Sequence, residues 1–152
     1  MNQSVIEKLK KEIKLKLSTL KTEIEIEAQQ DNHYYCWGCG LGTNGLDKSH
    51  ILSVKQRKDL ELEKANINLL CRKCHMNWES NDIEKMIVLH CFEKDLLYIS
   101  KKDPRRYNQT VLMINDWLMR MFDLRLIDEN AVNEELYSII YKFGEKFSYL
   151  NS

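Results

Sequence analysis

The sequence predicts an α+β fold, mainly α. A small unit of two strands and a helix, stapled by cysteines, sits between an N-terminal helix and a C-terminal helical extension. Three observations predict this. Apolar residues recur at intervals of three and four over residues 4–28 and again through much of 81–152. Four of the five glycines fall at Gly38, Gly40, Gly42 and Gly45, in a stretch without that period. Four of the five cysteines form two C-x-x-C pairs in the same stretch. The expected organisation is an amphipathic helix at 1–30, a cysteine-stapled domain at 31–80 and a helical extension at 81–152.

The first helix follows from Ile6, Leu9, Ile13, Leu17, Leu20 and Ile24. Ser4 is the expected cap, with Glu7 three residues on completing a capping box. Lys8, Lys10, Lys11, Lys14 and Lys16 line the other faces as a solvated surface, with pairing to another helix or contact with DNA phosphates as the alternatives. TEIEIE at 22–27 also alternates with period two, which leaves the end of the helix open. Residues 31–80 read as a glycine-rich knuckle, a short hairpin around Ser49–Ser53, an irregular loop through Lys55–Lys64, and a helix from near Cys71. Farther on, Ile83, Met86, Ile87, His90, Cys91 and Leu97 predict one helix, with His90 and Cys91 on its core side. Pro104 breaks the chain. Val111, Ile114, Trp117, Leu118 and Met119, running on to Phe122, predict a second helix. Val132, Leu136, Ile139, Ile140, Phe143 and Phe147 predict a third.

Bulk properties narrow the function classes. The 152 residues are 43% apolar and 30% charged, with 23 basic and 23 acidic side chains. A net charge of zero argues against a protein that lives on nucleic-acid electrostatics alone, though it leaves room for a local basic face. No run of about 18 apolar residues exists, so no membrane span is expected. The first residues lack an uninterrupted apolar stretch, so an export signal is not expected and an intracellular, cytoplasmic location is.

In that setting C-x-x-C pairs are metal ligands or redox motifs before they are disulfides. A redox pair would leave the other pair unexplained. Cys36-Trp-Gly-Cys39 in a tight knuckle and Cys71-Arg-Lys-Cys74 at the first turn of a helix, with 31 residues between the pairs, supply four sulfurs for a tetrahedral structural Zn²⁺. The helix N-terminus eases the cost of thiolates there. The order knuckle, hairpin, helix is that of a treble-clef zinc finger. All four ligand positions are then used, so this ion does not catalyse. Trp37 and Trp78 flank the cysteines as packing residues.

Cys36-x-x-Cys39, Ser49-His50-Ile51, Asn66 five residues before Cys71, and Leu70-Cys71-x-x-Cys74-His75 together resemble the HNH endonucleases, in particular the small phage and bacterial kind with two C-x-x-C pairs. The resemblance covers about a third of the chain and implies a ββα-metal nuclease. On it, His50 is the general base, a role its ordinary pKa of about 6.5 permits. His75 is a ligand of a second, catalytic divalent ion. It lies one residue beyond Cys74, about 100° round the helix from that sulfur. Glu79, four residues on, shares its face and is a second ligand. Asn66 orients the loop and the base; Asn68 is its rival by spacing alone. Family members often carry Asp or His before the base, where this chain has Ser49, so Asp47 is the candidate replacement ligand. Mg²⁺, Mn²⁺, Ni²⁺ or Zn²⁺ are the candidate catalytic ions. DNA is the implied partner, held by Lys55, Arg57 and Lys58 after the hairpin, by Arg72 and Lys73 at the helix start, and by Lys101, Lys102, Arg105 and Arg106 in a basic loop around Pro104. The terminal helices are candidates for pairing two copies into a homodimer. A phage, mobile-element or restriction/defence setting is implied, in a bacterial or phage-infected cell. The competing reading is a catalytically inactive zinc-stapled module that binds DNA or protein.

Overall fold

The computed structural model describes residues 2–42 and 45–123. The expected helix around Val132 to Phe147 lies outside them. The chain divides into two compact units, Met1–Pro104 and Arg105–Ser152.

The first unit opens with α1, Gln3–Gln30. Its cap is Asn2 and not Ser4: the Asn2 side chain accepts the Ser4 amide at 3.1 Å. The helix outlasts the period-two stretch because Ile24 and Ala28, one turn apart, are the positions it buries. It ends where Asn32 turns left-handed at φ 57°. His33 then donates to the Ala28 carbonyl at 2.7 Å and Asn32 to that of Gln29 at 3.4 Å, a Schellman closure with asparagine in place of glycine.

The sheet has two antiparallel strands, β1 (Asp47–His50) and β2 (Ile67–Leu70), with Asp47 opposite Leu70 and His50 opposite Ile67. The hairpin expected around Ser49–Ser53 is thus corrected. β1 pairs not with the residues after it but with a strand beyond a long loop, 51–66. Every residue of β2 is buried, so no alternation marks it as a strand. The loop is not irregular throughout, since Lys58–Leu60 and Lys64–Asn66 form single 3₁₀ turns. Helix α2, Arg72–Glu79, follows β2 directly, with Cys71 as its first flanking residue. It lies against both strands, and Trp78 anchors it by donating to the Ile51 carbonyl at 3.2 Å.

The expected single helix over 83–97 is two: α3 (Ile83–Ile87), capped by the Asp82 side chain, and α4 (Phe92–Lys102). The break has a cause. The His90 amide leaves the helical ladder and donates to Gly38 of the knuckle at 2.8 Å. That turn leaves the His90 side chain exposed, against the core reading, while Cys91 is buried as expected. Phe92, Leu96 and Ile99 are the buried stripe of α4, and Phe92 meets Trp78 edge-on at 6.5 Å. Helix α5 runs Pro104–Asp123, with proline at its first position. Its residues Val111, Ile114, Trp117 and Leu118 are buried and Met119 is exposed. Only Asp103 separates α4 from α5, so the KKDPRR cluster is two helix ends and not a loop.

Candidate metal centre and nuclease site

The knuckle folds because the Gly40 amide returns to the Cys36 carbonyl at 2.8 Å, with Gly40 at φ 76°. The Trp37 amide ties it to β2 through the Leu69 carbonyl at 2.8 Å. Gly38 packs directly on the other pair: a Cβ there would lie 2.9 Å from the Cys74 Cβ. The Sγ atoms of Cys36, Cys39, Cys71 and Cys74 all fall within 4.8 Å of one another. Tetrahedral zinc with bonds of about 2.3 Å needs sulfurs roughly 3.8 Å apart, and Cys39 and Cys71 stand at 4.0 Å.

The electrostatics favour a cation among them. Burial pushes the Cys36 thiol up, but the amides of Cys71, Cys39 and Gly38 outweigh it, and the thiol is lowered to about 7. The Cys71 amide reaches its sulfur at 3.2 Å. Burial, then the neighbouring Cys71 and Cys36, push the Cys74 thiol well up. One thiolate is favoured and its neighbours resist a second, so four thiolates require a positive ion. The soft, closed, four-sulfur set suits structural zinc.

On the other side of α2 the structure brings Asp47, His75 and Glu79 together. The Nδ1 of His75 lies 2.9 Å from Asp47 Oδ2, and its Nε2 lies 2.9 Å from Glu79 Oε1. The Nε of Arg72 is 3.2 Å from the same Asp47 oxygen. The two carboxylates therefore meet opposite nitrogens of the ring, and in this orientation one ion can share His75 with only one of them. A neutral imidazole donates at a single nitrogen. The second carboxylate faces a lone pair unless a proton or a metal ion lies between. Adjacent ligand atoms of an octahedral ion with bonds of about 2.1 Å stand about 3 Å apart, so either edge has room. The Glu79 edge is the more exposed, and the Asp47 edge is already occupied by Arg72.

Among the described residues, no hydrogen bond or ion pair joins the His50 ring to either group. Its Nε2 lies 3.0 Å from the carbonyl oxygen of Glu61. A carbonyl only accepts, so Nε2 carries the hydrogen and Nδ1 holds the lone pair in the neutral ring. Asn66 is fully buried and secures that loop. Its side chain accepts the Leu52 amide at 2.8 Å and donates to the carbonyls of Leu52 at 3.0 Å and Leu60 at 3.2 Å. Its own carbonyl takes the Ile51 amide at 2.8 Å. Asn66 thus clamps both ends of the segment that presents Glu61 to His50.

Residues 34–80 match the HNH endonuclease family model. No curated protein and no solved structure matches the chain. The matched stretch, called the HNH segment for that likeness, spans the knuckle, both strands and α2 and contains the four clustered cysteines.

Around the HNH segment the basic residues are unequal. Lys55, Lys58, Arg72, Lys73 and Lys101 are exposed. Arg57 is committed elsewhere, to Asp59 at 2.8 Å and to the Lys102 carbonyl at 2.7 Å. Lys102 pairs with Glu63 at 3.0 Å. In the second unit Arg105 is exposed and Arg106 half-buried, both in the first turn of α5.

The structure also displays a buried polar cluster that sequence reading passed over. Asn68, opposite Ser49 in the sheet, donates to Asp95 Oδ2 at 2.7 Å and accepts from Lys94 Nζ at 2.7 Å. The Lys94 ammonium also caps the Trp37 ring at 5.1 Å. The signal was present in the INLL run, where a lone polar residue sits among four buried positions and needs a partner. That the partner is Asp95, 27 residues on, no local pattern reveals.

Proposed function

We propose that the HNH segment is a divalent-metal-dependent DNA endonuclease. His50 Nδ1 takes the proton of the water that attacks phosphorus. Glu61, through its carbonyl, holds the opposite nitrogen and so keeps the lone pair at Nδ1 and the ring from turning. Asn66 acts one step back by fixing the loop that carries Glu61. On α2, His75 Nε2 and Glu79 would hold the catalytic ion. Asp47, itself held by Arg72, receives Nδ1–H of His75 and sets the ring's tautomer, a carboxylate–histidine–metal arrangement. The bound ion would supply charge for the phosphate and for the departing 3′ oxygen. Ser49 is buried and takes no part. Products with 5′-phosphate ends and a phage, mobile-element or defence role go with this reading.

The observation that carries it is the His50 ring, held at Nε2 by a carbonyl with Nδ1 left for a proton. The test is nicking of supercoiled plasmid with Mg²⁺, Mn²⁺, Ni²⁺ or Zn²⁺ by wild type, His50→Ala and His75→Ala, each checked for zinc content and circular dichroism. General-base loss should slow cutting by about 10²–10⁴-fold. A wild type that cuts with none of these ions, or a His50→Ala variant as fast as wild type, would hand the assignment to a non-catalytic binding module.

A further inference from the structure

Over residues 3–23, α1 fully buries no side chain, though Leu17, Leu20 and Lys21 are half-buried; its buried positions are Ile24 and Ala28. The exposed part carries an excess of positive charge. Lys8, Lys10, Lys11, Lys14, Lys16 and Lys21 stand against Glu7, Glu12 and Glu23. The carboxylates nearer the domain are spoken for: Glu25 pairs with Lys48 at 2.6 Å, and Glu27 with Lys64. The lysines are not. Glu7/Lys11 and Glu12/Lys16 have the i,i+4 spacing that stabilises a helix. Yet among the described residues only Lys10 has a carboxylate within 4.0 Å, Glu7 at 3.7 Å.

The spare charge is ordered. At 100° per residue, Lys10, Lys11, Lys14, Ser18 and Lys21 fall within about 100° of arc, while Lys8 and Lys16 lie on the far sides. From Lys10 to Lys21 the line runs about 16 Å at 1.5 Å per residue, the length of roughly five base-pair steps at 3.4 Å each. A second copy of the chain fits this face poorly, because it would bring like charges together. A polyanion fits it.

We propose that this face of α1 is a nucleic-acid backbone grip, which engages the phosphates of duplex DNA outside the HNH segment. It rests on the endonuclease reading only for the choice of DNA as the polyanion. Glu7 lies in the same arc one turn before Lys11 and pairs with Lys10, so the free contact runs from Lys11 to Lys21; ammonium groups dominate it, and it carries no base specificity. It lengthens the DNA footprint beyond the nuclease site.

The test is fluorescence anisotropy of a labelled duplex across a salt series. Full-length, zinc-loaded protein carries His50→Ala and no catalytic ion is added, so cutting plays no part. Lys11→Gln with Lys14→Gln removes two charges from the face, and Lys8→Gln with Lys16→Gln removes two off it. The on-face pair should flatten the log–log salt slope by about 2 and weaken binding about tenfold or more at moderate salt. The off-face pair should change the slope by less than half as much. Equal effects from the two pairs, or an unchanged slope for the on-face pair, overturn the proposal. So does a loss of dimer mass by light scattering without a change in slope, which gives the face to a second copy. Because binding is read without cleavage, a protein that never cuts DNA can still pass this test, and one that cuts can still fail it.

Discussion

Asp95 is fully buried, and burial is the largest influence on its carboxyl group; it raises the pKa above the ordinary value, against the lowering pull of Lys94 and the Asn68 and Cys91 contacts. The Lys94 Nζ stands 3.1 Å from Oδ1, but off the hydrogen-bonding direction. An acid raised in the folded state favours folding in its protonated form. That contribution is complete below the unfolded value of about 4 and is lost as pH rises through the higher folded value. Asp95→Asn keeps an acceptor for the Asn68 amide and removes the titration. The variant's melting temperature relative to wild type should therefore climb as pH is taken from about 5, where the zinc thiolates persist, toward neutrality. A difference that stays flat, or falls, over that range contradicts the assignment. This residue does not stand out in the sequence, whereas the proposed site residues His50, Asn66 and His75 do, and the difference is physical. The latter three stand at fixed distances from the cysteines in a pattern. Asp95 reads as one of many helix carboxylates until the fold sets it against Asn68.

Among the elements, the knuckle and α2 depend on how closely two C-x-x-C pairs can approach. The tightest point is Gly38, where an added Cβ would lie 2.9 Å from the Cys74 Cβ, 3.0 Å from its Sγ and 3.2 Å from Leu89 Cδ2. A sulfur held by a metal ion cannot step aside, so the methyl group displaces the knuckle itself. Gly38→Ala should cost about 1–3 kcal/mol, the usual range for overpacking, and should speed zinc loss to a chelator. Gly42→Ala, with nothing within 4 Å of its Cβ position, is the matched control and should leave both unchanged. Equal zinc retention in the two variants would contradict this packing. Here too legibility follows range. The knuckle, α1 and α2 were readable because their signals lie within a few residues of one another. The β1–β2 pairing was misplaced because its partners are separated by residues 51–66, and all of β2 is buried without alternation. The break between α3 and α4 was missed because the amide of His90 is taken by Gly38, more than fifty residues earlier in the chain. An apolar period cannot register a distant acceptor.

For the molecule as a whole, the four-cysteine cluster, with zinc as its expected ion, joins the knuckle to the start of α2 across a very small sheet. Of the described strands there are only two, of four residues each, and an isolated hairpin of that size is marginal in water. Structural zinc in a comparable setting contributes about 10–16 kcal/mol to folding, more than the entire stability of most small domains. Helix α1 is different: at 28 residues it exceeds the 12–15 at which isolated helices become marginal. Stripping the metal should thus act unevenly. With a strong chelator, the near-ultraviolet dichroism of Trp37 and Trp78 should collapse, since those rings are fixed by contacts to His33, Ile51, Phe92 and Lys94. Far-ultraviolet helix signal should fall only in part. One equivalent of zinc per chain should be released in step with the tryptophan change, and zinc, but not Mg²⁺, should restore it. Cys36→Ser should reproduce the stripped state without chelator, because it removes the one sulfur that the backbone amides already favour as thiolate. If the tryptophan signal survives complete zinc removal, the strands and α2 are held by their apolar packing alone, and the cysteine cluster is an accessory to the fold and not its staple.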